Sequence, residues 1–325
     1  MSKYIIKRVL LIIPTVLIVC AIVFILMRML PGSAVDALLY KMRSSGTYDV
    51  TRENVEAILG MDKPAVIQFF VWLWDAVRGN LGNCIFQSET VIGAIGRQLP
   101  VSLELGILTL ILTNIISIPL GLWCAARQDT VSDYSIRVLS MVLMAMPLFW
   151  LATLVLIYPA IWWKWSPLTQ YVGFLKNPLQ NIKMFIVPAL LGAITQTGMQ
   201  LRTVRTVMLG TMRTGYVRTA WAKGAPERRV MFRHGFRNAM IPVITLIGGS
   251  IGGLVGGSVI MENIFNLPGI GQQVMLAISS RDYPLVQGCI LIFSFFTMAV
   301  NLVVDVSYKL IDPRVSLSGE RREGA

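Results

Sequence analysis

The stretch Val9-Leu-Leu-Ile-Ile-Pro-Thr-Val-Leu-Ile-Val-Cys-Ala-Ile-Val-Phe-Ile-Leu-Met-Arg-Met-Leu30 decides the fold class. A helix crossing a hydrocarbon layer about 30 Å thick needs roughly 20 apolar residues. This run supplies them with a single charge, Arg28, close to its end. Pro14 is tolerated inside a membrane helix, where neighbouring groups re-satisfy the freed carbonyl. Lys3, Lys7 and Arg8 in front resemble the basic start of a secretion signal. The apolar run is too long for one, however, and Arg28-Met-Leu-Pro-Gly32 offers no small-residue cleavage site. The segment therefore reads as a retained first span, closed by Leu30-Pro31-Gly32.

Five further segments meet the same criterion, near 101–125, 138–163, 184–201, 241–262 and 285–308. Composition agrees: 55% of the 325 residues are hydrophobic and only 14% charged, with a mean hydropathy of +0.66. Soluble domains carry about 25% charged residues. The expectation is an all-α integral membrane protein with six transmembrane helices. Residues 1–30 form the amino terminus and first span, 31–99 a small extracytosolic region, and 100–310 a five-helix core with a cytosolic loop at 202–240. Residues 311–325 are a cytosolic tail.

A net charge of +12 would suggest nucleic acid in a soluble protein, but its distribution points to the membrane instead. From Arg202 to Arg237 nine Lys or Arg face one acid, Glu227, whereas 31–99 holds six basic and seven acidic residues. Positive charge accumulates on the cytosolic side, which places 202–240 and both termini inside and 31–99 outside. The connection 164–183, with Lys164, Lys176 and Lys183 and no acid, runs against the rule, which holds on balance and not loop by loop.

In the outer region Val66, Ile67, Phe69, Phe70, Leu73, Trp74 and Val77 recur at helical spacing, so an amphipathic helix is expected on the membrane surface or against the bundle. In the fifth span Gly248, Gly252 and Gly256 form one four-residue series and Gly249, Gly253 and Gly257 another. Such stripes allow close backbone approach within the bundle, along a route, or to a second subunit. Of the cysteines, Cys20, Cys124 and Cys289 fall in spans and Cys84 outside, so neither a disulfide framework nor a metal cluster is indicated.

The most informative connection is Thr214-Gly-Tyr-Val-Arg-Thr-Ala-Trp-Ala-Lys-Gly-Ala-Pro-Glu-Arg-Arg-Val-Met-Phe-Arg-His-Gly-Phe-Arg-Asn-Ala-Met-Ile-Pro242. Gly215 to Lys223 suits two turns of helix, and Gly224 the left-handed residue that closes it. Pro226 suits the first position of a second helix, and Glu227 its positive amino-terminal end. The element has no apolar core of its own and must rest on something else. One reading is a basic loop that only fixes topology. A DNA-binding helix-turn-helix is disfavoured, because the flanking spans hold the loop against the bilayer and a third helix is missing. The third reading is a short helix docked in a groove of a cytosolic partner, with Ala220 and Gly224 small enough for close contact.

Glu104, Glu262, Asp305 and Arg28 lie in or near span ends. Charges at membrane depth usually face a polar interior, but these read more simply as structural pairs or caps, Asp305 with Lys309 one turn on and Glu262 where the fifth helix leaves the bilayer. Glu104 is the least easily explained. His234, the single histidine, has no nucleophile or carboxylate arrangement around it in the sequence and reads as a surface residue of the docking loop. A Gly-x-x-x-x-Gly-Lys-Ser/Thr phosphate loop is absent, so the chain cannot be its own ATP-driven motor.

Arg218-Thr-Ala-Trp-Ala-Lys-Gly224, followed by Ile241-Pro242, resembles the coupling-loop signature of permease subunits in binding-protein-dependent ABC importers. Those permeases carry Glu-Ala-Ala, three variable residues and Gly; the dipeptide, oligopeptide and nickel branch has Arg-Thr in place of the first two, as here, and favours Arg where this chain has Trp221. Met29-Leu-Pro-Gly-Ser33, Gly79-Asn-Leu-Gly82, Gly257-Ser-Val-Ile-Met-Glu-Asn-Ile-Phe-Asn-Leu-Pro-Gly-Ile-Gly271, Arg281-Asp-Tyr-Pro-Leu-Val286 and Asp312-Pro-Arg314 resemble the same branch, specifically its B-type subunit. Each motif alone is weak; their order and spacing from the first span to the carboxyl end are specific.

The resemblance implies a type I ABC importer permease fold and a heteromeric assembly. Two homologous six-span permeases form the pathway, two cytosolic ATP-binding subunits hold ATP and Mg, and an extracytosolic solute-binding protein delivers substrate. No cofactor, metal or nucleic acid is expected on this chain, and no catalytic residue. The ATPase-coupling residues it implies are Tyr216, Arg218, Thr219, Ala220, Lys223, Gly224 and Ala225. Di- or oligopeptides are the expected cargo, nickel or another small solute is the alternative, and a membrane sensor or receptor subunit is the reading from another class. The location implied is a bacterial or archaeal cell membrane.

Overall fold

The computed structural model describes residues 2–29, 32–44, 50–167, 171–226, 229–251 and 259–311. Its helices in chain order are α1 (Ser2–Met29), α2 (Ala34–Ser44), α3 (Arg52–Ile58), α4 (Ala65–Val77), α5 (Val91–Ala126), α6 (Val131–Ala145) and α7 (Leu148–Trp163). Then follow α8 (Pro178–Met212), α9 (Gly215–Ala222), a π-helical segment (Val230–Phe236), α10 (Arg237–Ile251), α11 (Val259–Ile264), α12 (Ile270–Ser280) and α13 (Tyr283–Ile311). Among the described residues extended pairing is limited to one antiparallel bridge, Asn83 with Thr90. The chain divides into two compact units, one of residues 1–103 and 266–298, the other of 104–265 and 299–325.

In the first unit Met27, Leu81, Val91, Ile95, Ile270 and Leu285 are buried together. Polar ties fix the turns around this core. Asp282 is almost fully buried, and its carboxylate accepts the backbone N–H groups of Ile85, Phe86 and Leu285 at 2.8, 3.2 and 3.2 Å. Lys41 Nζ donates to the Ile85 carbonyl at 2.9 Å. Gln98 Nε2 donates to Gln273 Oε1 at 2.8 Å, and the Ser102 hydroxyl accepts the Ile270 N–H at 2.9 Å. A cavity of about 570 Å³ is lined by Phe24, Arg28, Gln68, Trp72, Asp75 and Gln287 among others. The expected amphipathic helix is α4. Phe69 packs edge-on against Phe24 with ring centroids 5.2 Å apart, while Val66, Ile67, Phe70, Trp74 and Val77 remain exposed.

The second unit is organised on α8, which packs against α6, α7 and α10. Glycines permit the closest approaches. A Cβ on Gly121 of α5 would lie 2.7 Å from Val204 Cβ and 2.9 Å from the Leu201 carbonyl oxygen, and one on Gly198 would lie 2.9 Å from the Ser140 carbonyl oxygen. Small residues at helix contacts are the usual solution in membranes, where association rests on packing. Gln200 Nε2 donates to Asn114 Oδ1 at 2.7 Å and joins α8 to α5 within the apolar bundle.

Among the described residues four helices are long and apolar enough to cross a membrane: residues 10–29 of α1, α5, α8 and residues 283–304 of α13. They correspond to the expected spans 9–30, 101–125, 184–201 and 285–308, and α5 and α8 extend well past the expected limits. The span expected at 138–163 is not one straight helix. It is α6 and α7, bent by 94° at Met146-Pro147, and counts as a fifth span if the pair crosses together. Proline disfavours helical backbone in the residue before it, and Met146 is extended at ψ 132°. The span expected at 241–262 includes α10 and part of α11, but 252–258 lie outside the described residues, and with them most of the two glycine series. The tail 312–325 and Glu227 also lie outside them.

Candidate docking hairpin

The sequence signals around Thr214 produce a defined hairpin. Gly215–Ala222 is helical, with Thr214 extended in front at ψ 153°. Its end satisfies the orphan carbonyls by a Schellman arrangement: Ala225 N–H donates to the Ala220 carbonyl at 3.3 Å and Gly224 N–H to that of Trp221 at 2.9 Å. Gly224 has φ +78°, the left-handed conformation in which a Cβ is costly, and the space beside it is open. The Pro226 carbonyl then accepts the N–H groups of Arg229 and Val230, at 2.9 and 3.1 Å, and starts the second arm. That arm differs from the expected α-helix: Val230–Phe236 is π-helical before α10 takes over. π-Helical turns are uncommon and concentrate at functional positions.

The hairpin is held by its apolar side. Val217 and Val230 are fully buried, one on each arm. Burying a valine completely contributes about 1.5–3 kcal/mol. The π-helical arm also meets the buried cluster of Leu122, Val204, Met208, Ala239 and Val243, on which Met231 and Phe236 pack together with Met212. Gly235 lets the π-helical arm approach α8, since a Cβ there would lie 2.7 Å from Met208 Cε and 2.9 Å from Met212 Sδ.

The other side faces out. Of the seven residues expected from the sequence, Tyr216, Arg218, Thr219, Lys223 and Gly224 are exposed, and Ala220 and Ala225 are half-buried at the bend. All seven therefore lie on one short helix and its cap. Trp221 belongs with them and was not among those expected: it is 42% exposed on α9, a large aromatic surface that the bare chain leaves uncovered. An exposed basic helix carrying a Tyr and a Trp can seat in a groove; it assembles no nucleophile, base or acid.

The membrane-depth charges fall into place separately. Arg28 stacks over the Phe24 ring at 3.5 Å and donates to the Gln68 side chain. Glu104 pairs with the Asn181 side chain. Glu262 is fully buried in α11. The side chains of His234, Asp305 and Lys309 lie outside the described residues. A stronger charge cluster, which the sequence did not reveal, sits at the foot of α6. Asp133 is completely buried and receives Arg205 Nε at 2.9 Å and Nη2 at 2.7 Å, a two-pronged pair between α6 and α8. Arg137 Nε lies 3.2 Å from the same carboxylate, and the Asp129 N–H donates to it at 3.1 Å. Removing one partner of such a buried pair costs about 3–5 kcal/mol.

Helices long and apolar enough to cross a membrane, joined by a basic hairpin with one exposed face, define a polytopic membrane protein. Comparison with known proteins specifies which. Residues 117–317 match the family described as binding-protein-dependent transport system inner membrane component, and residues 1–106 match the amino-terminal region of such membrane components. The chain belongs to this family of ABC transporter permeases and is a multi-pass inner-membrane protein. It is 38% identical over 315 residues to a putative peptide transport system permease protein of Brucella suis biovar 1 (strain 1330), covering 97% of this chain and 99% of that one. It is 34% identical over 319 residues to the oligopeptide transport system permease protein AppB of Bacillus subtilis (strain 168), with 97% and 99% covered. A probable peptide ABC transporter permease protein of Sinorhizobium fredii (strain NBRC 101917 / NGR234) is 30% identical over 315 residues, with 97% and 99% covered.

Proposed function

We propose that this chain is one of two permease subunits of an ATP-driven importer of di- or oligopeptides. The observation that carries the reading is the hairpin: a capped helix anchored by Val217, on which Tyr216, Arg218, Thr219, Trp221 and Lys223 form one exposed, basic and aromatic surface. Cytosolic ATP-binding subunits, holding ATP and Mg, receive that surface. The cargo follows from relatives named as peptide permeases along nearly their whole length.

The subunit performs no chemistry on its cargo. Closure of the ATPases around ATP pushes on the hairpin and shifts the bundle between inward-open and outward-open states, which differ in what they bind. An extracytosolic solute-binding protein meets the 31–99 side, and both termini lie in the cytosol, a reading supported by the positive charge of 202–240. The pathway forms with a second, homologous permease.

Affinity purification of the tagged chain in mild detergent tests the assembly: a second six-span permease and phosphate-loop ATPases are expected to copurify. Gly224→Asp tests the hairpin. It places an acid and a Cβ at the exposed left-handed cap, and is expected to abolish peptide uptake while membrane insertion persists. Normal uptake at normal expression would remove α9 from the coupling role. Binding of nickel, and not of peptides, by the copurifying solute-binding protein would replace the cargo and leave the assembly standing.

A further inference from the structure

We propose that Asp133 and Arg205 are positioning residues for energy coupling: they form the strut that carries a displacement of the hairpin Gly215–Phe236 to α6 and to the bend between α6 and α7. The inference rests on the docking reading of α9 and adds to it the route by which the hairpin acts on the bundle.

The helix α8 is the common element. It contacts α9 and the π-helical segment at one end, and α6, α7 and α10 along its length. Two adjacent residues on it face different neighbours. Val204 belongs with Met208 to the apolar cluster under the hairpin, where Met231 and Phe236 of the π-helical arm also pack. Arg205 turns to α6 and grips Asp133 with both prongs of its guanidinium. One turn earlier Arg202 donates to Met144 Sδ at 3.4 Å, also on α6.

Apolar packing transmits a push, but its contacts are non-directional and slide easily. A two-pronged charge pair is directional and resists both sliding and separation. Among the described residues Asp133 is where α6 builds such a tie, and it requires burying a carboxylate completely, which packing of apolar side chains would have avoided. The site also holds a standby cation, which gives the carboxylate a second arrangement to fall into. Arg137 lies on the same helix as Asp133, 3.2 Å from its carboxylate, so the charge stays neutralised when α8 withdraws Arg205. A contact with two discrete arrangements is what a switching element needs, and the Pro147 bend lies ten residues beyond Arg137 on the continuation of α6.

The test uses the whole transporter, both permeases, the ATPases and the solute-binding protein, in liposomes, and measures peptide taken up per ATP hydrolysed. With Asp133→Asn, which keeps volume and loses charge, the complex is expected to assemble and to hydrolyse ATP within about 2-fold of the parent, while uptake per ATP falls at least about 10-fold, inside the range of ordinary coupling energies. Arg205→Lys, which keeps charge and loses the fork, is expected to fall in the same direction, and Arg137→Gln, which removes the standby cation, to fall in the same direction by less. Parental uptake per ATP in both Asp133→Asn and Arg205→Lys overturns the strut. So does an equal loss of hydrolysis and uptake, the signature of a merely structural pair. If Asp133→Asn does not assemble, Arg205→Lys is read by the same ratio. Gly224→Asp separates the two claims: if it leaves uptake intact, the docking reading fails; if it uncouples and the strut variants do not, only the strut fails.

Discussion

The carboxylate of Asp282 stands 2.8 Å from the N–H of Ile85, nearly two hundred residues away in sequence, and binds the start of α13 to the loop before α5. The Phe86 and Leu285 N–H groups converge on the same carboxylate. Asp282→Ala would leave these donors facing a buried space, each at about 1–3 kcal/mol. The expected outcome is a clearly lowered melting temperature in detergent by tryptophan fluorescence, with a smaller loss for Asp282→Asn, which retains an acceptor.

Helix contact in the second unit depends on the absence of two Cβ atoms. Gly121→Ala and Gly198→Ala each place a methyl group against a backbone carbonyl oxygen at 2.9 Å, which a side-chain rotation cannot relieve. Overpacking of this kind costs about 1–3 kcal/mol. Both variants are expected to unfold earlier than the parent, whereas Gly96→Ala, with open space beside it, is expected to match or slightly exceed it.

Trp221 is the large aromatic residue of the exposed α9 face, and such residues dominate the energy of interfaces. Trp221→Ala is expected to weaken association with the ATPases by about 2 kcal/mol or more, about 30-fold in Kd, without changing the melting temperature of the isolated subunit. Val217→Asp, by contrast, should loosen the hairpin itself and raise its susceptibility to protease in the uncomplexed subunit.

Cys84 is a thiol that should not behave as one. Burial, with Asp282 and Glu89 nearby, pushes its pKa up to about 11. At pH 8 only about a thousandth of it is thiolate, the reactive form. A charged maleimide is expected to leave Cys84 unmodified in the folded protein from pH 7 to 9 and to label it rapidly in denaturant.

The hairpin was readable because its signals are local. Gly224 and Pro226 punctuate the chain through their own backbone limits, and the structure places a left-handed cap and a new helical arm there. The π-helical turn was not readable, since Gly235 makes it useful only by admitting Met208 and Met212 from another helix. Hydropathy did not reveal the bend between α6 and α7, because an apolar window carries no information on direction; Pro147 held the missing signal. It also ended the 184–201 span too early, since Arg202 and Arg205 change the solvent preference of the chain but not its helical backbone. The Asp133–Arg205 pair was invisible for another reason: its partners are 72 residues apart, and only the packing of α6 on α8 brings them together.

At about 1.5 Å per residue the 35 residues of α8 span about 52 Å, some 20 Å more than the hydrocarbon layer is thick. A straight helix of that length gears angle into distance: rocking it by about 5° sweeps its far tip through about 4–5 Å, close to one helical turn. A helix of this length thus acts as a lever arm, in which a small tilt at one end becomes a displacement of several ångströms at the other.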